Sequence, residues 1–230
     1  QRTPVLYQAG SSGRGQAFAA RHAECVFVSS QTKEGLRKLV ASVRESVAKE
    51  GRDPSAIKFF MGVTAVVGKT EAEAREKHAE YLRYASPQAG LAHYASSTGI
   101  DFSQYRNDEP IRYVKNNAIE SAVKNLTVAR TDRTVNDLLA DMALGGRYPA
   151  LVGSGAQVAE ELASWVEETD IDGFNLARTV TPECYSDFID LVVPELQERG
   201  VFKTSYVEGT LREKLFGVGR SRLPLEHVAG

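Results

Sequence analysis

Apolar positions along the chain fall into two alternating patterns. Short continuous runs rich in Val, Phe and Tyr occupy 4–8 (PVLYQ), 25–28 (CVFV), 57–67 (IKFFMGVTAVV), 150–152 (ALV) and 173–177 (GFNLA). Runs of this kind, bounded by Gly, Ser, Asp or Pro, predict strands buried on both faces. Between them apolar residues recur at helical spacing. Over 16–23 the small and apolar residues Ala17, Phe18, Ala20 and Ala23 do so, and over 33–50 Leu36, Leu39, Val40, Val43 and Val47 share one face with charge opposite. Thr70 precedes Glu71 and Glu73, which suits a capped helix with its acids at the positive end of the dipole. Over 156–168, Val158, Leu162, Trp165 and Val166 point one way. Strand and helix in strict alternation predict an α/β fold with a parallel sheet.

The alternation stops between 86 and 148. This stretch is richer in Asn, Asp, Thr and Arg, carries Pro87, Gly90, Gly99 and Pro110, and predicts short helices over 88–95, 109–126 and 134–143. A polar connection of that length inside an α/β unit serves a function or covers a site. After the last strand, Pro182 suits a first helical position, and Pro194 predicts a kink or break in the helix that follows. The basic, Gly-containing tail 201–230 is expected to wrap the domain or end loosely. The chain starts at Gln1 and enters its first strand by residue 4, which leads us to expect further protein before it.

Candidate chemistry lies in the first strand-to-helix turn, Gly10-Ser11-Ser12-Gly13-Arg14-Gly15. Free backbone N–H groups, two hydroxyls and the positive end of a helix dipole meet there, and glycines let an anion approach the backbone closely. Arg14 adds charge, and Gln8 and Tyr7 lie just before the turn. Two readings fit equally: an anion site, or serines that cap the helix and glycines that turn the chain. The spacing is not G-x-G-x-x-G, and no Lys-Ser/Thr pair follows, so a mononucleotide phosphate such as that of a flavin fits better than a dinucleotide or a nucleoside triphosphate.

Composition narrows the classes. A formal net charge of −2 leaves no footprint for nucleic acid or an anionic membrane, and no run is long enough to span a bilayer. Cys25 and Cys184 stand far apart without metal spacing, which suggests free thiols and a cytoplasmic protein. None of the four histidines has a Cys or carboxylate at ligand spacing, so no metal is expected.

The segment TPVLYQAGSSGRGQAFAARHAECVFV (3–28) resembles the flavin-phosphate segment of the luciferase-like flavin monooxygenases. Within them it is most similar to the branch of nitrilotriacetate monooxygenase component A, dibenzothiophene sulfone monooxygenase and the pristinamycin synthase large subunit. SSTGIDFSQY (96–105), RTVNDLLADMALGGRYPALVGSGAQVAEEL (133–162), DGFNLARTVTPECYSDFIDLVVPELQERGVF (172–202) and YVEGTLREKL (206–215) carry the same resemblance.

It implies the C-terminal half of a TIM-type (β/α)8 barrel, about its last four strand positions, with 86–148 as a helical insertion over the mouth. It also implies reduced FMN and dioxygen as reactants, a separate NAD(P)H-dependent flavin reductase as partner, and a small organic or xenobiotic substrate. Ser11 and Ser12 match the phosphate-binding serines, with Gly10 and Gly13 as backbone donors and Gln8 and Arg14 beside them. In such barrels function gathers at the carboxyl ends of strands. That adds Phe27 and Val152 as pocket candidates, and Arg178 and Thr179 as residues able to reach the phosphate; His93, at the start of the insertion near Tyr94 and Ser96, is a further pocket candidate. Asp172 and Asn175 are equally well explained as satisfying backbone at the rim. No catalytic group is identified beyond the candidate His93. A half barrel is expected to self-associate or to pair with an N-terminal half. The rival readings are a non-catalytic fragment or subunit, and a deazaflavin-dependent oxidoreductase.

Overall fold

The computed structural model describes residues 3–10, 12–111, 134–144, 146, 148–225 and 227. Ser11 and nearly all of the helix expected over 109–126 lie outside the described residues. Five strands form one parallel sheet: β1 (Tyr7–Ala9), β2 (Cys25–Val28), β3 (Lys58–Gly68), β4 (Ala150–Ser154) and β5 (Gly173–Ala177). β1 pairs with β2 from Tyr7↔Cys25, and β2 with the start of β3 from Cys25↔Lys58. The middle of β3 pairs with β5 from Phe60↔Gly173, and its end with β4 from Thr64↔Ala150. The long apolar run around Met61 is therefore the central strand.

Helices α1 (Gly13–His22), α2 (Lys33–Lys49), α3 (Glu71–Tyr84) and α6 (Gly155–Thr169) follow strands β1, β2, β3 and β4. Each begins at a hydroxyl cap, Ser12, Thr32, Thr70 and Ser154, whose side chain accepts an N–H of the first turn. Val26, Val28, Phe59, Met61 and Val63 on one face of the sheet pack with Leu36, Val40, Val43 and Val47 of α2 and with Val158, Leu162 and Trp165 of α6. Each such buried side chain contributes roughly 1.5–3 kcal/mol of transfer free energy. Side chains alternate along a strand, so Tyr7, Phe27 and Phe60 stand on the opposite, concave face.

The stretch 86–148 contains α4 (Pro87–Thr98) and α5 (Val135–Met142), which pack on each other. Ile100, Phe102, Ile111, Val135 and Leu138 form a second apolar cluster there, separate from the main core. The described start of the expected 109–126 helix is not helical: Pro110 forms an antiparallel bridge with Thr134.

Beyond β5 the helix carrying Pro194 is not broken, and its hydrogen-bonding pattern changes ahead of the proline. α7 (Glu183–Asp187) gives way to a π-turn at Phe188–Val192 before α8 (Val193–Glu198), where Pro194 lacks the N–H that a continuous helix needs. Pro182 is the cap residue of α7, one position before its first turn. The first strand also differs, covering Tyr7–Ala9 and not 4–8. Before it, the Leu6 carbonyl accepts from the N–H groups of both Glu24 and Cys25, and Pro4 has no N–H for a ladder.

In the tail, α9 (Leu211–Phe216) starts with a reciprocal box between Thr210 and Glu213. Arg212 within it is 1% exposed. It donates to Glu24 at 2.7 and 3.1 Å and to the carbonyls of Thr3, Pro4 and Ser221 at 2.9–3.1 Å.

Candidate functional site

The carboxyl end of β1 runs directly into α1. Gly10 holds φ +143°, a conformation closed to ordinary side chains, and this turns the chain toward the helix. A Cβ on Gly15 would lie 3.0 Å from the Gly10 carbonyl, so the first turn of α1 packs tightly on the loop. Ser12 caps the helix: its Oγ accepts from the Gly15 N–H at 3.1 Å. The N–H groups of Gly13 and Arg14 precede that one and have no intrahelical acceptor. A Cβ on Gly13 would meet nothing within 4 Å, and Arg14 is exposed, so this helix end faces open space.

Gln8 lies beneath the loop, its amide nitrogen 3.2 Å from where a Gly10 Cβ would be, and its buried Oε1 has no hydrogen-bond partner among the described residues. Strand alternation puts Gln8 on the face opposite Tyr7. The two residues before the turn therefore do not act together: Gln8 supports the loop, and Tyr7 faces the concave side. An anion fits this cradle. It offers two helix-end N–H groups, a hydroxyl and room above Gly13.

The concave face is aromatic. Tyr7 stacks on Phe27 with ring centroids 5.3 Å apart, and Phe60 lies 6.2 Å from the Tyr7 ring and 6.4 Å from Phe27. Tyr7 and Phe27 are 41% and 39% exposed, unusual for ring faces on the inside of a sheet. Val152 pairs with Val66 on this face, since Leu151 beside it packs into the main core. Asn175 is exposed on β5, while Asp172 is consumed structurally by the Phe59 N–H at 2.9 Å and Lys58 Nζ at 2.7 Å. Arg178 is exposed, and Thr179 Oγ1 is buried without a hydrogen-bond partner among the described residues. His93 is exposed on α4, whose main packing partner is α5, so the structure does not bring it to the β1 loop. Among the described residues no three His, Cys, Asp or Glu side chains are grouped to hold a metal ion.

Both cysteines are free, and Cys25 is fully buried beside Tyr7. Burial pushes the Cys25 thiol up to about 11, against a smaller opposing contribution from its Tyr7 hydrogen bond. Burial, then Cys25 and Glu24, push Tyr7 up to about 12. Raised folded-state values favour the protonated forms, so their contribution to stability is complete below the ordinary thiol value of 9.0 and is lost as pH rises toward about 11. Urea midpoints are expected to be level between pH 7 and 8 and to fall by pH 10.5, with a shallower fall in Cys25→Ala.

Sequence reasoning missed Gly62, Thr64 and Tyr148. A Cβ on Gly62 would sit 2.1 Å from the Tyr148 ring, so that ring lies on the concave face of β3. A single glycine inside an otherwise apolar strand was the available signal.

Residues 1–172 match the luciferase-like monooxygenase family. The chain belongs to that family. It is 42% identical to the dimethyl-sulfide monooxygenase of Hyphomicrobium sulfonivorans over its whole length, and 44% identical to the long-chain alkane monooxygenase of Geobacillus thermodenitrificans, covering 48% of each. The crystal structure of long-chain alkane monooxygenase superposes on the whole chain with a TM-score of 0.86 over 49% of its own length. A riboflavin lyase, whose structure contains a modified FMN and riboflavin, superposes with a TM-score of 0.90 at 36% identity over 99% of this chain and 50% of its own. The expected branch is represented by dibenzothiophene-sulfone monooxygenase from Rhodococcus erythropolis and nitrilotriacetate monooxygenase component A from Aminobacter aminovorans, at 35% and 34% identity. This luciferase-like chain thus spans about half the length of the curated relatives it matches. None of its described helices is long and apolar enough to cross a membrane.

Proposed function

We propose that this chain forms the carboxyl half of a flavin-dependent monooxygenase barrel and anchors FMN by its phosphate at the 10–15 loop. The observation that carries the reading is the open amino end of α1, where the N–H groups of Gly13 and Arg14 have no intrahelical acceptor and Gly13 leaves the helix terminus accessible. Family membership supports it. So does the riboflavin lyase structure with its modified FMN.

When bound, reduced flavin would supply the two electrons with which one atom of dioxygen goes to the substrate and the other to water. The chain's own residues then do three things. The N–H groups of Gly13 and Arg14, with the hydroxyls of Ser11 and Ser12, hold the phosphate. Tyr7, Phe27 and Phe60 present an apolar wall that keeps water from the reacting side. The 86–148 stretch, with its own apolar cluster, serves as the lid. A separate NAD(P)H-dependent reductase supplies the reduced flavin, a reading favoured by the "component A" in one relative's name.

The test is an anaerobic titration of the purified protein with FMNH2, and with a reduced deazaflavin in parallel. FMNH2 is expected to bind, and Ser11→Ala/Ser12→Ala to weaken it at least tenfold, while loss of the Ser12 cap costs about 1 kcal/mol of stability. A folded protein that binds neither flavin sinks the proposal; preference for the deazaflavin replaces it with hydride transfer.

A further inference from the structure

We infer that 185–211 is a self-complementary face through which two copies of this protein pair, each laying its 201–209 arm on the other's α7–α8. Nothing in this rests on the flavin reading.

The arm leaves α8 on fixed backbone contacts. The N–H groups of Val201 and Phe202 both donate to the Leu196 carbonyl, at 3.0 and 3.2 Å, and Gln197 Nε2 donates to the Lys203 carbonyl at 2.9 Å. Every residue from 201 to 209 is nonetheless exposed, Tyr206 at 82% and Val207 at 65%. With Val201, Phe202 and, just beyond, Leu211, this concentrates large apolar side chains in water, whereas an ordinary surface carries them singly. Lys203 Nζ stands 4.3 Å from the Phe202 ring centroid and 5.2 Å from that of Tyr206, and Lys214 Nζ stands 5.9 Å from that of Tyr206. Neither lysine is paired with a carboxylate among the described residues, Glu208 of the arm included. The arm thus presents aromatic rings, which dominate interface energies, beside uncompensated positive charge.

The complement lies on α7–α8. From Glu183 to Glu198 there are five acids and no Lys or Arg. Glu183 and Asp187 are taken up by Lys77, at 3.6 and 2.7 Å. Asp190, Glu195 and Glu198 have no basic partner among the described residues. Ser186, Asp190, Pro194 and Glu198 recur at every fourth position and are all exposed, so they form one outward stripe, bordered by exposed Tyr185 and Ile189. Arm and stripe therefore match in charge and in apolar content, yet within one chain the two lysines do not meet these acids. A two-fold dimer needs one patch that bears both sides of each contact, so that residue i meets j while j meets i. Arm and stripe, separated by Arg199 and Gly200 alone, meet that requirement, whereas an unrelated partner would call for only one of the two charge sets.

Sedimentation velocity on the purified protein and on two charge-reversed variants, Lys203→Glu/Lys214→Glu and Asp190→Lys/Glu198→Lys, decides the matter. The parent protein is expected to be a dimer with a micromolar or tighter dissociation constant. Each variant should dimerise at least tenfold more weakly, because its arm and stripe now carry charge of one sign. An equimolar mixture of the two should regain the parent's dimer: the acidic arm of the first faces the basic stripe of the second, and the other arm and stripe are unchanged. Restoration on mixing occurs only when a second copy is the occupant, and it also shows that both variants are folded. Tyr206→Ser, which alters no charge and removes a ring already in water, should weaken the dimer at least tenfold with an unchanged melting temperature. A monomeric parent protein, variants that dimerise as tightly as the parent, or a mixture of folded variants that stays monomeric overturns the inference.

Discussion

Arg212→Ala is expected to cost about 3–5 kcal/mol of folding stability, enough to unfold a large share of a marginally stable domain. The guanidinium is 1% exposed and closes a bidentate pair with Glu24, itself 5% exposed, while three backbone carbonyls from the two ends of the chain share its remaining donors. Glu24 Oε2 also accepts the Leu6 N–H at 2.9 Å, so the carboxylate aligns the entry to β1 with the start of β2. Truncation leaves a buried carboxylate without its counter-charge and orphans the carbonyls of Thr3, Pro4 and Ser221 together. The strand destabilised first is β1, the one that runs into the 10–15 loop. Urea denaturation measures the loss. The companion variant Arg212→Met/Glu24→Gln should recover part of it, because the cost lies mainly in the unpaired charge. A change below about 1 kcal/mol in Arg212→Ala would show that the tail does not clamp β1.

Arg212 also marks where sequence reading ran out. A tail with several basic residues looks solvated, and nothing in one dimension says that a carboxylate 188 positions earlier is waiting for it. The local helix was legible, because Thr210 and Glu213 stand at capping-box spacing. The helix faces of 33–49 and 155–169 were largely legible because their periodicity is local: Leu36, Val40, Val43 and Val47, and Val158, Leu162 and Trp165, are buried as expected. Val166, expected on the inward face, is exposed because it stands one position past Trp165 and turns to the rim of that face.

β3 failed differently. Phe59 and Phe60, or Val66 and Val67, look alike in sequence because both faces of a central parallel strand are apolar, so the concave face, with Thr64 on it, was hidden. Tyr148 was hidden because it reaches Gly62 from 86 residues away, across a stretch whose packing is set by its own small cluster. Gln8 and Tyr7 were adjacent in sequence, but the two-residue period of a strand sends them to opposite faces.

Gly13→Asp is expected to weaken FMN binding by about a hundredfold or more and to leave the fold intact. Gly13 is the first residue of α1, and a Cβ there meets nothing within 4 Å, so a side chain is sterically free. An acid at a helix's first turn is favourable by roughly 0.3–1 kcal/mol, and replacing glycine in a helix adds a little more. Stability is therefore expected to hold or rise slightly. The same carboxylate stands where the proposed phosphate must sit, and two unit charges 5 Å apart at an effective dielectric of 20 repel by about 3 kcal/mol before a second phosphate charge is counted. Fold and function thus respond in opposite directions to one substitution, which a merely structural loop would not do. Gly13→Asn, of the same shape without the charge, should retain most of the affinity. Raising the salt concentration should recover part of the loss in Gly13→Asp. Equal FMN affinity in the parent protein and Gly13→Asp, with melting temperatures unchanged, would remove the phosphate from the amino end of α1 and leave Ser12 with helix capping as its whole role.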